Sequence, residues 1–365
     1  MRFPEFSGEW ESNELHKVAS LSKGAGISKD QLSDSGHPCI LYGELYTKYK
    51  SEIIREVYSK TQLDLANLVK SHTNDVIIPC SGEAAIEIAT ARCVLIPDVL
   101  LGGDLNIIRL NGRHDGGFFA YQLNGKRKVD IAKVAQGVSV VHLYGEHLKK
   151  VKVAYPSLEE QQKISSFLAL LDERIATQIK IIEKLESLIK GLCQKLTQHG
   201  NPNTTLNEAL VCYSSTLQES SVQETGDYPV YGATGVCGYT DTPEVDGDSI
   251  LIIKDGASVG VTYYASGRYS TIGTLNRLVA KREYSLRYLY YCLKVFNFAP
   301  YRTGLAIPHI YFRDYGKAKV WCPSLDEQQR IADALSKVEQ KIAIEKSLLE
   351  QLYSQKRFLL QSMFI

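Results

Sequence analysis

The sequence predicts an α+β protein built as an internal repeat: two mixed globular segments, each followed by one long helix, with the two helices pairing antiparallel as a coiled coil. Three observations predict it. PSLEEQQKI at residue 156 returns as PSLDEQQRI at residue 323, and laying 156–196 over 323–363 without a gap gives fifteen identities in forty-one positions, which marks a duplication. Each copy carries apolar residues at steps of three or four, the signature of a helical seam. The stretches between the copies alternate β-branched and aromatic residues with glycine turns, which reads as short strands.

The first globular segment is placed at 1–155. Its run NDVIIPCSGEAAIEIATARCVLIPDVLLGGDLNIIRL from Asn74 reads as a series of strands, and KVDIAKVAQ as a closing helical portion. The central helix is placed at 156–200. Ile164, Leu168, Leu171, Ile175, Ile179, Ile182, Leu185, Ile189, Leu192 and Leu196 form its seam. Ser157 suits an N-cap, with Glu160 three residues on to close a capping box, and Gly200 followed by Pro202 ends the helix. The second globular segment is placed at 201–322, where DGDSILIIKDGASVGVTYYASGRYSTIGTLNRLVAK reads as strands and SLRYLYYCLKVF as a helix.

The C-terminal helix is placed at 323–365. It keeps Ile331, Leu335, Val338, Ile342, Leu349, Leu352, Leu359 and Met363 but puts Lys346 and Lys356 in the seam, breaks of the kind that fix register. At about 1.5 Å per residue each helix is roughly 60 Å long, a rigid spacer. The duplication also reaches upstream: GVSVVHLYGEHLKKVKVAYP matches GLAIPHIYFRDYGKAKVWCP at the same offset, pairing Gly137 with Gly304 and His142 with His309. The repeated unit thus includes the strand that feeds each helix.

A chain of 365 residues with 44% hydrophobic and 23% charged residues belongs among soluble globular proteins of two or more domains. Apolar runs are too short to span a bilayer and the first residues are acidic and polar, so a cytoplasmic protein is expected. The eight cysteines are scattered without C-x-x-C or paired histidines, which predicts reduced, mostly buried thiols and no metal site. Catalytic signatures are missing too: no phosphate-binding G-x-x-x-x-G-K-[ST] loop, no G-x-S-x-G elbow and no H-E-x-x-H. No catalytic residue is therefore assigned.

Net charge is only +1, but it is unevenly spread. Residues 201–253 hold no Lys or Arg against eight acids, whereas 254–302 hold eight basic residues against two acids, and 109–152 hold nine against three. Each half thus has one region able to face phosphate. On the residues alone, a self-sufficient DNA-modifying enzyme with an unrecognised site and a structural coiled-coil scaffold remain open beside a DNA-binding protein.

The two helix openings, each after an unlike globular segment, resemble the conserved regions of the specificity subunit of type I restriction-modification systems. KGAGISKDQLSDSGHPCILYGELYTKY from Lys23 looks like one variety of target-recognition domain, and DYPVYGATGVCGYTD from Asp227 like another. The resemblance covers essentially the whole chain. It implies a non-catalytic subunit whose two recognition domains each read one half of an asymmetric, bipartite double-stranded DNA site. The helices would set the half-site spacing and dock two modification (methyltransferase) subunits, which restriction (translocase-nuclease) subunits join. S-adenosylmethionine, ATP and magnesium are then expected in those partners and none in this chain.

On that reading, DNA contacts are expected from Lys23, Arg92, Arg109 and Arg113 in the first segment and from Lys254, Ser258, Arg268, Arg302 and Thr303 in the second. Tyr231 and Tyr239 bracket a glycine-rich loop where they could stack near DNA. Docking of partners is expected at the helix starts, through Pro156, Glu160, Gln161, Gln162, Pro323, Glu327, Gln328 and Gln329. His142 and His309 occupy equivalent places and, being shared by both halves, are expected to be structural.

Overall fold

The computed structural model describes residues 1–365. The two long helices run over Leu158–Thr197 and Leu325–Ser362, and the chain divides into two compact units, Met1–Ile179 with Ser347–Ile365, and Lys180–Lys346. Each unit holds one globular segment and part of each helix.

In the first unit a five-stranded sheet has the order Ala19–Lys23, Leu105–Leu110, Asp75–Pro79, Arg92–Val94, Ile53–Ile54. Its central strand Asp75–Pro79 is buried along its whole length, which is why Val76, Ile77 and Ile78 follow one another without a polar residue between them. A second five-stranded sheet is ordered Leu32–Ser33, Ser59–Thr61, His37–Ile40, Leu100–Leu101, Val69–Lys70. The second unit repeats the first three strands of the main sheet as Leu210–Ser214, Leu275–Ala280 and Ser249–Ile253, adds Thr262–Ala265, and builds a separate four-stranded sheet from Gly235–Thr240, Tyr228–Gly232, Arg268–Thr271 and Val245–Asp246. The expected succession of strands after Asp246 is present, shared between two sheets.

One helix of each unit lies between sheet and long helices: Gly116–Asn124 and Leu286–Lys294. The second coincides with the expected SLRYLYYCLKVF helix. The first was not anticipated, because its opening GGFF places two poor helix formers in the first turn. Close packing explains the glycine at 117: a Cβ there would run into Ser165 Oγ of the central helix. Lys128–Val134 is helical as expected.

The predicted seams are real in both units. In the first, Ile164, Leu168, Leu171 and Ile175 share one core with Leu352, Leu359 and Met363; in the second, Ile189 and Leu192 share one with Leu335, Val338 and Ile342. Early residues of one helix therefore meet late residues of the other, so the pairing is antiparallel. The strands Lys152–Tyr155 and Lys319–Val320 feed the helices and pair with Glu11–Glu14 and Thr204–Thr205.

The repeated glutamines explain how each globular segment is joined to its helix. Gln161 Oε1 accepts from the Asp115 backbone N–H at 3.0 Å while its Nε2 donates to the Pro156 carbonyl at 2.9 Å; Gln328 Oε1 accepts from Ser285 N–H at 2.9 Å and its Nε2 donates to the Pro323 carbonyl at 2.9 Å. Asp115 and Ser285 are the N-caps of the two sheet-packed helices, so one side chain ties two helix starts together. Half of the expected capping box forms: Ser157 Oγ accepts from Glu160 N–H at 3.4 Å, but the Glu160 carboxylate turns to Arg2, with two bonds of 2.7 Å.

All eight cysteines are free and six are buried; burial pushes the Cys39, Cys80 and Cys193 thiols up to about 11. No group of three or more His, Cys, Asp and Glu residues is placed to hold a metal ion. No helix is long and apolar enough to cross a membrane.

Candidate nucleic-acid interface

In the second unit the chain leaves the buried strand Ser249–Ile253 at Lys254 and makes a glycine-rich loop that is laced to the segment after Arg302. The Lys254 carbonyl accepts from Ile310 N–H at 2.9 Å, Gly256 N–H donates to the Pro308 carbonyl at 2.9 Å, and Arg302 Nη2 donates to the Val259 carbonyl at 3.1 Å. His309 Nδ1 lies 2.6 Å from Asp255 Oδ1. Lys254, Ser258, Arg302 and Thr303, four of the expected contacts, are thereby brought to one edge of the main sheet, with Ser258, Arg302 and Thr303 exposed.

The same lacing occurs in the first unit with different side chains. Leu143 N–H donates to the Cys80 carbonyl at 2.8 Å, and His142 Nδ1 is 3.3 Å from Ser81 Oγ. Cys80 stands where Lys254 stands, and Ser81 where Asp255 stands. The positive charge at this edge comes from Lys23 instead, which is exposed and close enough to oppose the burial that raises the Cys80 thiol. Both histidines have the structural role expected of them, each bonding the loop beside it.

Other expected contacts lie elsewhere. Arg92 is 8% exposed, and its guanidinium donates to the carbonyls of Tyr49, Ala91 and Leu45 at 2.9–3.3 Å. It is a core residue with no surface to offer a phosphate, and its assignment as a DNA contact is corrected here. Arg109 makes two bonds to the buried Asp75 carboxylate, at 2.9 and 2.8 Å, so its charge is already matched. Arg113 is exposed but sits beyond Leu110, at the far end of the strand from Asn106, which pairs with Lys23.

Arg268 lies on the separate four-stranded sheet, over the Tyr228 ring at 4.5 Å and opposite Asp246. Tyr231 is half-buried and packs edge-on against the buried Tyr269 at 5.5 Å, whereas Tyr239 remains exposed. The sequence count of basic residues also overstates the surface charge: Arg287 and Lys294 are turned to Glu339 of the C-terminal helix, at 3.2 and 2.7 Å.

The helix starts are likewise less open than expected. Glu160, Gln161 and Gln328 are buried with partners inside the chain, and Pro156 is buried as well. Their assignment to partner docking is corrected by that burial. Glu327 and Pro323 are half-buried, and only Gln162 and Gln329 are fully at the surface.

Comparison with known proteins places this architecture. The family model described as type I restriction modification DNA specificity domain matches residues 7–187 and 213–354. A putative type I restriction enzyme specificity subunit, MjaX, of Methanocaldococcus jannaschii is 26% identical over 208 residues, 54% of this chain and 47% of that protein; the chain thus spans about half the length of the curated relative it matches. The crystal structure of the type I restriction-modification S subunit from M. genitalium superposes with a TM-score of 0.68 at 19% identity, covering 100% of this chain and 99% of that one. A chain from a study of complex assembly and conformational transition of the type I system superposes at 0.59 and 16% identity, covering 98% and 97%. These two likenesses establish a shared fold. With two matched regions that together take in most of its length, the chain belongs to the type I restriction modification DNA specificity domain family.

Proposed function

We propose that the chain is the non-catalytic, sequence-reading subunit of a cytoplasmic type I restriction-modification complex. Each globular segment reads one half of an asymmetric bipartite site in double-stranded DNA, and the paired helices set the distance between the halves. Two modification subunits, carrying S-adenosylmethionine, dock on the duplicated frame; restriction subunits using ATP and magnesium complete the complex.

The observation that carries this reading is the contrast between frame and insert. The joins repeat bond for bond, with Gln161 matched by Gln328 and the Cys80–Leu143 link by Lys254–Ile310. The residues at the loop edge differ: Ser81 and the exposed Lys23 beside the buried Cys80 in one unit, Lys254, Asp255 and Arg302 in the other. A frame that repeats suits partners present twice, and edges that differ suit two unlike half-sites.

The test is to co-express the chain with its modification subunit and map methylated adenines across a genome by long-read sequencing. A two-part, asymmetric motif is expected. An assembled, active methyltransferase that marks no two-part motif overturns the reading.

A further inference from the structure

The loops at 137–141 and 304–308 are built alike and expose aliphatic side chains that nothing in the chain covers. Each opens on a glycine with positive φ, 121° at Gly137 and 87° at Gly304, where a Cβ would also collide with the carbonyl of Val140 or Ile307. Each is closed by reciprocal main-chain bonds. Gln136 and His142 exchange bonds of 2.9 and 2.7 Å, as do Thr303 and His309.

At the tips Val138 is 97% exposed and Leu305 fully so, with Val140 at 53% and Ile307 at 58%. The letters differ, VSV against LAI, but the apolar character and the closure are the same in both units.

From this geometry we infer that each tip is a wedge that enters a base step of the duplex and bends it. The inference rests on the proposed DNA-reading function and adds a mode of contact to it. Three features select a duplex as the occupant. First, the tips rise from the loop edge that carries the free cations: Arg302 and Thr303 directly precede the second tip, Lys254 holds its base, and Lys23 stands at the corresponding edge of the first. That is positive charge of the kind a phosphate backbone requires.

Second, each tip is narrow and closed by its reciprocal main-chain bonds. Two aliphatic side chains on a closed five-residue loop match the apolar wedges that unstack a base step, and they fall well short of the roughly 800 Å² per partner of a stable protein interface. Third, aliphatic groups read no hydrogen-bonding edge. The same device can therefore serve two unlike half-sites, contributing through the deformability of the step and leaving base readout to neighbouring side chains.

The test uses the complex of this chain with its modification subunits and a duplex carrying the site found by methylation mapping, end-labelled for FRET. Wild type is expected to shorten the end-to-end distance on binding. Leu305→Ser/Ile307→Ser is expected to remove part of that bend, a further Val138→Ser/Val140→Ser to abolish it, and the mapped motif to stay the same. All four side chains are exposed, and an unchanged thermal midpoint checks the fold. A wild-type complex that leaves the duplex straight, or variants that bend it fully, overturns the wedge. Variants that lose a modification subunit in native mass spectrometry also overturn it, by making the tips protein contacts. Failure to find any two-part motif would instead strike the DNA-reading function itself.

Discussion

Gln161 and Gln328, 167 positions apart, hold their units together with the same two hydrogen bonds, one to a helix N-cap and one to the proline that precedes their own helix. Alanine at either position strands a buried main-chain N–H, at a cost of about 1–3 kcal/mol. Gln161→Ala and Gln328→Ala are each expected to lower the denaturation midpoint, and Gln162→Ala, at an exposed position, to leave it unchanged. Chemical denaturation of the purified chain checks this.

Lys356, one of the two lysines in the C-terminal seam, places its ammonium 2.5 Å from both Glu52 and Asp172, and Tyr121 donates to the same Asp172 at 2.8 Å. Burial by itself would lower the lysine's pKa, but the two carboxylates outweigh it and raise it. Lys356→Ala leaves two buried acids uncompensated and is expected to cost about 3–5 kcal/mol. Lys356→Met combined with Glu52→Gln and Asp172→Asn is expected to recover most of that loss. Lys346, paired with Glu186 where both side chains are about half exposed, is expected to tolerate alanine, a contrast that urea titrations of the variants resolve.

Glu339 occupies in the second repeat the position of Asp172, and receives Tyr291 at 3.0 Å and Lys294 at 2.7 Å. Burial would raise its pKa, yet the bonds from Lys294 and Tyr291 and the charge of Arg287 hold it below the ordinary 4.5. A depressed folded-state pKa contributes stability that is complete above the unfolded value and is lost as the pH falls through the folded one. Stability from this cluster is therefore expected to decline below about pH 4.5, and Glu339→Gln to flatten that part of the profile, measured by thermal unfolding between pH 3 and 7.

Lys254 and Arg302 are expected to contact phosphate, and Arg92 is not. Lys254→Ala and Arg302→Ala should each weaken DNA binding by the complex and reduce the slope of log K against log salt by about 0.9. Arg92→Ala should destabilise the fold, because three backbone carbonyls lose their donor, and leave the slope of the remaining folded protein unchanged. Fluorescence anisotropy across a salt series separates the two behaviours.

Glu186 meets Lys346 across the helix pair, which locates where the two helices can be lengthened together. Seven residues inserted after Glu186 and seven after Lys346 add about 10 Å of helix, or roughly three base pairs at 3.4 Å each. The mapped methylation motif should keep both half-sites and gain that much gap. Altered half-sites with the original gap would contradict a spacing role for the helices.

The helices, their seams and the strands feeding them were legible because heptad spacing and duplication are local patterns. Three things were not. The helix Gly116–Asn124 was hidden by glycines whose reasons lie far away in the chain, the approach of Asn74 at Gly116 and of Ser165, 48 positions on, at Gly117; the N-cap Asp115, matching Ser285, was the available signal. Charge counts could not tell the buried Arg92, spent on three backbone carbonyls, from the exposed Arg302, which gives one bond to a carbonyl, because burial depends on the tertiary neighbours. Nor could repetition alone distinguish a docking surface from an internal joint, and at Gln161 and Gln328 it marked the joint.

The hydrogen bond by which each globular segment reaches that joint is donated by a main-chain N–H, that of Asp115 or Ser285. A socket that grips peptide groups is indifferent to the lettering of what it holds. Exposed positions of either segment can therefore drift without the frame having to be rewritten, whereas the buried partners of Lys356, Asp172 and Glu339 have to be kept.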